Sequence, residues 1–386
     1  MVRFLHATKI YRRVCCLLLF FIAASASFQG FYTKWHFREP GVAGGAESID
    51  VLRFGLADIL DGTAARPYVY RQMLPALANW LDSVTPQSTK DWLYASESHE
   101  ISAANFHFDS PMAGDPRYFF RYLVIYTGTF LLAWLAVYAM YLVCQAVDVP
   151  PVPRIFAPVF MILLIPYFMT GGGYFYDYPE LAFLALAVWM ALKFDWWWML
   201  PVVALATWNK ESFLLIVPTL YPILRKRSSR PRALAGTGLL TLTSATIYYF
   251  LRLRYLANPG GVVLSKWRHQ IKFLIHPWNY FDWEKTYGIA MFKAFSLPIL
   301  ALIAWTVWGG WRKLPVEMQR HAQIAAAINI PLFLLFCSPG EMRDFSMLYI
   351  VFLLLLAANL SIQTETGGRM AANAASTVSE EDLVHN

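Results

Sequence analysis

An all-α fold, built as a polytopic transmembrane helical bundle of about ten spans, is predicted by three observations. The first is composition: of 386 residues, 58% are hydrophobic, 17% aromatic and only 15% charged. The second is placement, because the charges gather in short clusters between apolar runs instead of decorating one face of each run. The third is that the runs lack the period-two alternation of barrel strands. No water reaches the hydrocarbon core to satisfy backbone groups, so spans are helices or closed barrels, and without alternation helices remain. A formal net charge of +7 would suit nucleic acid in a soluble chain. Here Lys and Arg lie mainly in the short turns of one side, the positive-inside pattern, and no nucleic-acid partner is expected.

Arg3, Lys9, Arg12 and Arg13 precede an apolar run at 14–28, which puts the N-terminus in the cytoplasm and sends the chain outward. The run is expected to remain as an anchor. Ala24, Ser25 and Ala26 also fit a signal-peptide cleavage site, and the downstream orientation is the same either way. Residues 29–117 are too polar to span and too long for a structureless connection, so a folded helical first outer loop is expected, with helix-like patterns at 49–60 and 68–81. The run 118–147 returns inward to Pro150, Pro151, Pro153 and Arg154, and 155–170 goes out again. The chain turns at Gly171, Gly172 and Gly173. Pro179 suits a first helical turn and Glu180 complements its dipole, so a helix is expected through 181–192, ending inside at Lys193 and Asp195. Runs 196–208 and 212–224 then flank Asn209, Lys210 and Glu211 outside and end inside at Arg225, Lys226, Arg227, Arg230 and Arg232. Both are shorter than the roughly 20 residues of a full span, which points to a re-entrant or tilted hairpin.

Residues 233–251 go out to a second outer loop, 252–287. There Leu264, Trp267, Ile271 and Leu274 recur at helical spacing while Lys266, Arg268 and Lys272 fall elsewhere, which predicts a helix lying on the outer interface. Run 288–311 returns inward to Arg312, Lys313 and Arg320. Run 322–337 goes out to Glu341, Arg343 and Asp344, and 346–362 brings the chain back inside. Residues 1–362 thus read as one integral membrane domain with both ends cytoplasmic. The tail, 363–386, has no apolar periodicity, carries Glu380, Glu381 and Asp382, and reads as disordered.

Sorted by side, the cytoplasmic turns hold ordinary basic anchors, whereas Asp50, Asp58, Asp61, Arg71, Asp177, Glu180, Lys210, Glu211, Glu341, Arg343 and Asp344 fall outside. Ionisable groups at span ends are costly unless they pair or serve a site, so an outward-opening polar cavity is expected. Simple pairing is the other reading: Lys210 with Asp177 or Glu211, and Arg343 with Glu341 or Asp344. Asp177 and Glu180, three apart, share a helix face if the helix begins at Asp177. That face could hold a divalent metal or pair with Lys210. Cys15, Cys16, Cys144 and Cys337 fall inside predicted spans, with no CxxC pair and no His at ligand spacing. Neither a disulfide framework nor a zinc site is expected.

Glu47, Ser48, Ile49, Asp50, Val51, Leu52, Arg53 and Phe54, followed by Pro67, Tyr68, Val69, Tyr70 and Arg71 and then Leu74, Pro75, Ala76 and Leu77, resemble the first outer loop of the C-type (GT-C) polytopic membrane glycosyltransferases. In that superfamily an acidic residue soon after the first span precedes a short helix, a glycine-containing link and an aromatic-Arg-Pro-like segment. Gln72 and Met73 stand here where a Pro often follows the Arg. Tyr176, Asp177, Tyr178 and Pro179, with Trp208, Asn209, Lys210 and Glu211, are similar to a pattern of bacterial GT-C-like membrane proteins. The resemblance covers the first two thirds of the chain. It implies transfer of a sugar from a polyprenyl-phosphate donor to a lipid or glycan acceptor at the outer face of a bacterial inner membrane, with no required cofactor.

Such a reaction needs a carboxylate to take the acceptor proton, cations to stabilise the leaving phosphate, and an apolar groove for the lipid tail. Asp50 is the residue implied as base; it also fits a helix cap before Val51. Arg71 can clamp phosphate through a bidentate fork, or anchor at the interface. Lys210 and Arg343 are the further phosphate-binding candidates, with Asp177, Glu180, Glu211 and Glu341 in support. Lys266, Arg268 and Lys272 also fit a headgroup-binding face. Two other classes compete. One is a transporter or lipid flippase, against which the scarcity of mid-span ionisable residues speaks. The other is a non-catalytic membrane subunit whose outer loops bind a partner.

Overall fold

The structure, a computed structural model, describes residues 2–35, 55–97, 111–170, 172–260 and 265–361. Asp50, the 49–54 part of the expected loop helix, and the tail at 363–386 lie outside the described residues. The described chain is helical apart from one two-stranded hairpin. Its helices are α1 (Val2–Tyr32), α2 (Leu56–Leu60), α3 (Met73–Val84), α4 (Gln87–Glu97), α5 (Pro116–Ala146), α6 (Pro151–Phe168), α7 (Asp177–Lys193), α8 (Leu200–Asn209), α9 (Phe213–Ile216), α10 (Tyr221–Arg227), α11 (Arg230–Arg254) and α12 (Trp267–Ile275). Strands β1 (Trp283–Thr286) and β2 (Ile289–Phe292) follow, then α13 (Leu297–Gly310), α14 (Val316–Phe336) and α15 (349–361), which is entered through a 3-10 turn at Met342–Leu348.

Among the described residues, five helices are long and apolar enough to cross a membrane: Arg13–Tyr32 within α1, α5, α6, α11, and Met342–Ser361. Their outward faces expose Leu18, Ile22, Leu131, Phe160, Leu242 and Phe250, side chains that a water-soluble protein would largely cover. The other expected runs are helical too, but shorter or more polar. The run at 212–224 is broken into α9, a 3-10 turn (Val217–Leu220) and α10, because Pro218 and Pro222 lack the N–H that would continue one helix.

Two expectations need correction. The helix expected over 288–311 begins only at Leu297. Ahead of it, Ile289–Phe292 pairs with Trp283–Thr286 through a two-residue turn in which Tyr287 (φ 55°) and Gly288 (φ 81°) both take the positive φ that a type I′ hairpin requires. The pattern at 68–81 is also not one helix. It divides into a 3-10 turn at Tyr68–Tyr70 and α3, with Arg71 (φ −86°, ψ 69°) at the break. The helix expected from the spacing of Trp267, Ile271 and Leu274 is present as α12.

α7 is apolar on nearly every face and is buried on nearly every face, as such a helix must be. Ala182, Ala185, Ala187 and Ala191 let it lie close along α5, whose Ala133, Ala136, Ala139 and Met140 are equally buried. α1 joins this core through Phe20, Ala24, Phe28 and Phe31, and its Ser27 Oγ donates to Ile162 O at 2.5 Å. The carboxylates that open α7 therefore stand at the end of a helix enclosed on nearly every face.

The turns sort into two groups. In one, Arg227 donates to Phe194 O at 2.7 Å, Arg232 pairs with Asp195 at 3.2 Å, and Lys226 pairs with Glu317. In the other, Trp35 bridges to Gly173, Arg66 bridges to Gly260, and Gln72 N donates to Trp208 O at 3.2 Å. These are the basic turns and the predicted outer turns respectively.

α13 and α15 approach at Gly309 and Gly310, where a Cβ would overlap Asn359 and press on the Leu355 carbonyl, and Asn359 Nδ2 donates to Thr306 O at 2.9 Å. Gly309→Val should lower the stability of the purified protein by about 1–3 kcal/mol, read as a lower thermal midpoint in detergent.

Candidate functional site

The N-terminus of α7 is where distant parts of the chain meet. Asp177 and Glu180 lie in its first turn, as expected, and both are buried. Asp177 Oδ2 accepts from Tyr174 N at 2.8 Å, which closes the turn that precedes the helix. Gly173 has to be glycine there, since a Cβ would meet the Phe31 ring at 2.5 Å. Lys210 reaches in from the tip of the α8–α9 hairpin. Its Nζ lies 2.6 Å from Glu180 Oε2 and 4.0 Å from Asp177 Oδ1. The pairing reading thus holds for this face: an ammonium stands between the two carboxylates where a divalent ion would have to sit. Among the described residues no cluster of His, Cys, Asp and Glu could hold a metal.

Arg343 enters from the turn before α15, with Nη1 3.4 Å from Asp177 Oδ2 and Nη2 3.3 Å from Glu341 Oε1. Arg71 comes from the first outer loop. Gln72 beside it is buried and donates to Ile59 O at 3.0 Å and Val69 O at 2.9 Å, which fixes the backbone break and turns Arg71 toward Glu211 Oε1 at 3.3 Å and the Tyr176 hydroxyl. Two rings join the cations. Tyr174 and Tyr176 stack with centroids 5.1 Å apart; Arg71 lies 4.1 Å from the Tyr176 ring and Arg343 4.3 Å from the Tyr174 ring. These are cation–π distances that favour charge at a partly dry position.

All seven described candidates therefore belong to one network: Arg71, Lys210, Arg343, Asp177, Glu180, Glu211 and Glu341. Burial disfavours the charges of Arg71 and Lys210. For Arg71 the neighbouring Tyr176 and Glu211 outweigh that penalty, and for Lys210 Glu180 and Asp177 do so, so both stay charged more firmly than the free side chains. Burial pushes the Glu341 carboxyl above the usual range, against the pull of Arg343. The folded protein thus holds a proton there at pH values where the unfolded chain has lost it, and stability gains as pH falls toward 4.5. Glu341→Gln should flatten that part of the stability–pH curve, followed by thermal unfolding between pH 5 and 8.

Not every outer acid joins the network. Asp61 pairs with Arg121 at 3.2 Å and accepts from the Tyr118 hydroxyl at 2.5 Å, and Asp58 accepts from Thr63 at 3.2 Å. These two were expected in the same hollow and instead brace the first outer loop, because their short side chains are taken by neighbours on α5 and in their own turn. Of the other participants, Asn209 stood beside Lys210 in the predicted outer turn, and Ser212 and Ser346 carried no sequence signal. Ser212 and Ser346 donate to Glu180 Oε1 at 3.3 and 2.9 Å, and Asn209 Nδ2 donates to Tyr176 O at 3.0 Å. Lys34, buried at the end of α1, pairs with Glu284 of β1 at 2.9 Å and donates to Pro166 O at 2.9 Å, which pins the hairpin over the bundle.

Every carboxylate oxygen of Glu180 is engaged, but the network is not closed. Among the described residues, Arg71 Nε, Arg343 Nε and Glu211 Oε2 are buried without a hydrogen-bond partner. The side chains of Arg71, Lys210 and Arg343 remain 11%, 12% and 12% exposed, so all three cations keep some accessible surface. Next to Arg343 an apolar groove of about 460 Å³ runs between α6, α13, α14 and α15, lined by Phe168, Ile303, Met342, Phe345, Tyr349 and Phe352. An arginine beside the wall of an apolar trough suits an amphiphile with an anionic head.

A scan against protein-family models, a search of curated proteins and a search of solved structures each find no match for this chain.

Proposed function

We propose that this chain is a GT-C-like membrane glycosyltransferase that moves a sugar from a polyprenyl-phosphate donor to a lipid or glycan acceptor on the extracytoplasmic face of a bacterial inner membrane. The observation that carries the reading is the meeting of Arg71, Lys210 and Arg343, from three remote parts of the chain, in one network whose Arg343 directly follows Met342 of the Phe168–Phe352 groove. In this reading the groove takes the isoprenoid. The guanidinium forks of Arg71 and Arg343 take phosphate oxygens in place of Glu211 and Glu341, and Lys210 adds a point charge. As the glycosidic C–O bond breaks, negative charge grows on the phosphate, and fixed cations in a partly dry site stabilise it without reorganising.

Depth supports the same reading. α7 has 17 residues and α8 has 10, lengths of about 26 and 15 Å against a hydrocarbon core of about 30 Å. In a bundle of ten helical passes with both ends cytoplasmic, the Asp177 and Lys210 ends lie below the outer membrane surface, within reach of a lipid phosphate. The acceptor proton goes to a carboxylate, for which Asp50 is the proposed base. Asp50→Asn should abolish sugar transfer from a polyprenyl-phosphate donor in proteoliposomes while leaving expression and the thermal midpoint unchanged.

One observation favours a second reading. Each cation already has a carboxylate partner, as in a purely structural latch of a non-catalytic subunit that binds through its outer loops. No sugar transfer by the wild-type protein in the same proteoliposomes would favour that reading.

A further inference from the structure

Behind the cation network lies a second, polar cavity of about 510 Å³ between the first outer loop, α3, α8 and the end of α11. The two are back to back. Gln72 and Trp208 line the cavity and are joined by a backbone hydrogen bond of 3.2 Å, while Arg71 and Lys210, their close neighbours in the chain, belong to the network. The cavity carries an unusual stock of unused hydrogen-bonding groups. Gln72 and Asn258 spend their amide N–H groups on backbone carbonyls, which leaves both amide oxygens without a partner among the described residues. The Tyr255 hydroxyl and the Trp208 indole N–H likewise have no partner among them.

The charges at the cavity are unequal. Asp61 is already neutralised by Arg121. Arg254, 5.4 Å from the Tyr255 ring, has no carboxylate partner among the described residues and is exposed at the cavity. Aromatic faces beside planar amides and a guanidinium are the groups that recognise a polyhydroxylated ring, with C–H faces against the rings and hydroxyls against the amides. A free guanidinium at such a site selects a carboxylate or phosphate by its fork.

We infer that this cavity is a saccharide-binding subsite that takes a glycan bearing an acidic group, with Arg254 reading the acid and Trp208, Tyr255, Gln72 and Asn258 reading the sugar. Its role as the acceptor subsite rests on the transferase reading above; saccharide binding itself does not. The occupant lies against Gln72 and Trp208, whose close neighbours in the chain, Arg71 and Lys210, belong to the phosphate network. This fits an acceptor whose hydroxyl must approach the donor from the side away from the lipid groove.

The test uses the full chain in phosphatidylcholine nanodiscs, with trigalacturonate as the acidic probe and cellotriose as the neutral one, and binding is followed calorimetrically. Trigalacturonate should bind the wild type more tightly than cellotriose. Arg254→Met, on an exposed side chain, should weaken trigalacturonate by about tenfold and bring it to the level of cellotriose. Ala76→Phe, which fills the cavity from α3, should abolish binding of both with no fall in thermal midpoint. Arg343→Lys should leave both affinities unchanged, so failure of the phosphate site and failure of this subsite are separately visible. Wild-type protein that binds neither saccharide overturns the inference, as does trigalacturonate binding indifferent to both Arg254→Met and Ala76→Phe. An Arg254→Met defect seen only with phosphatidylglycerol discs, without saccharide binding, overturns it in favour of a headgroup contact.

Discussion

Glu180→Ala is expected to cost the folded protein about 3–5 kcal/mol, the range for breaking a buried ion pair on one side. Glu180 accepts from Lys210 at 2.6 Å, from Ser346 at 2.9 Å and from Ser212 at 3.3 Å. Those three donors come from the α8–α9 hairpin and from the turn into α15, and removal of the carboxylate leaves an ammonium and two hydroxyls facing one another at the end of a buried helix. Glu180→Gln should cost less, because the amide oxygen still accepts while the charge on Lys210 keeps only Asp177 at 4.0 Å. Lys210→Met added to Glu180→Ala should recover part of the loss, since the stranded charge is then gone. Thermal midpoints in detergent across this double-mutant cycle measure the coupling. A coupling near zero would mean that the pair is not a unit.

Arg343→Lys should reduce sugar transfer by about 10²–10³-fold, the usual loss when one preorganised donor to a developing oxyanion is removed, with only a small change in the thermal midpoint. Lysine keeps the charge and the contact with Asp177, but it lacks the fork that spans Asp177 and Glu341 and that would span two phosphate oxygens. The effect should fall on the chemical step and not on donor retention, because the groove beside it is untouched. A kcat that holds while KM rises would assign Arg343 to donor capture alone.

Much of the site could be read from the sequence because charge stands out in an apolar chain. Asp177, Glu180, Lys210, Glu211, Glu341 and Arg343 interrupt runs that otherwise hold no ionisable group, and burial there is tolerated only with partners. Sequence could place them on one side without saying which acid met which base. Lys210 chose Glu180 and Glu211 chose Arg71, a choice set by how the hairpin tip sits against α7. Ser212 and Ser346 were silent, as single hydroxyls in apolar runs always are. The fold was legible where apolar runs were long, as in α5, and misread where apolar residues pair in a strand. Ile289 to Phe292 merges in composition with the helix that follows; the Tyr287–Gly288 turn marks the hairpin, and Lys293 with the Ser296–Pro298 helix start marks the break. Asp58 and Asp61 were misassigned to the hollow because sidedness alone cannot distinguish a loop brace from a site.

The central claim is that the Arg71, Lys210 and Arg343 cluster is a lipid-phosphate site. It is tested most directly by an experimental structure of the protein in nanodiscs with a short-chain polyprenyl phosphate. The account predicts phosphate density within hydrogen-bond reach of Arg71 and Arg343, Glu211 and Glu341 displaced from them, and isoprenoid density along Phe168, Phe345 and Phe352. Phosphate bound at the basic turns near Arg225 to Arg232, with the seven-residue network unaltered and the groove empty, would contradict it.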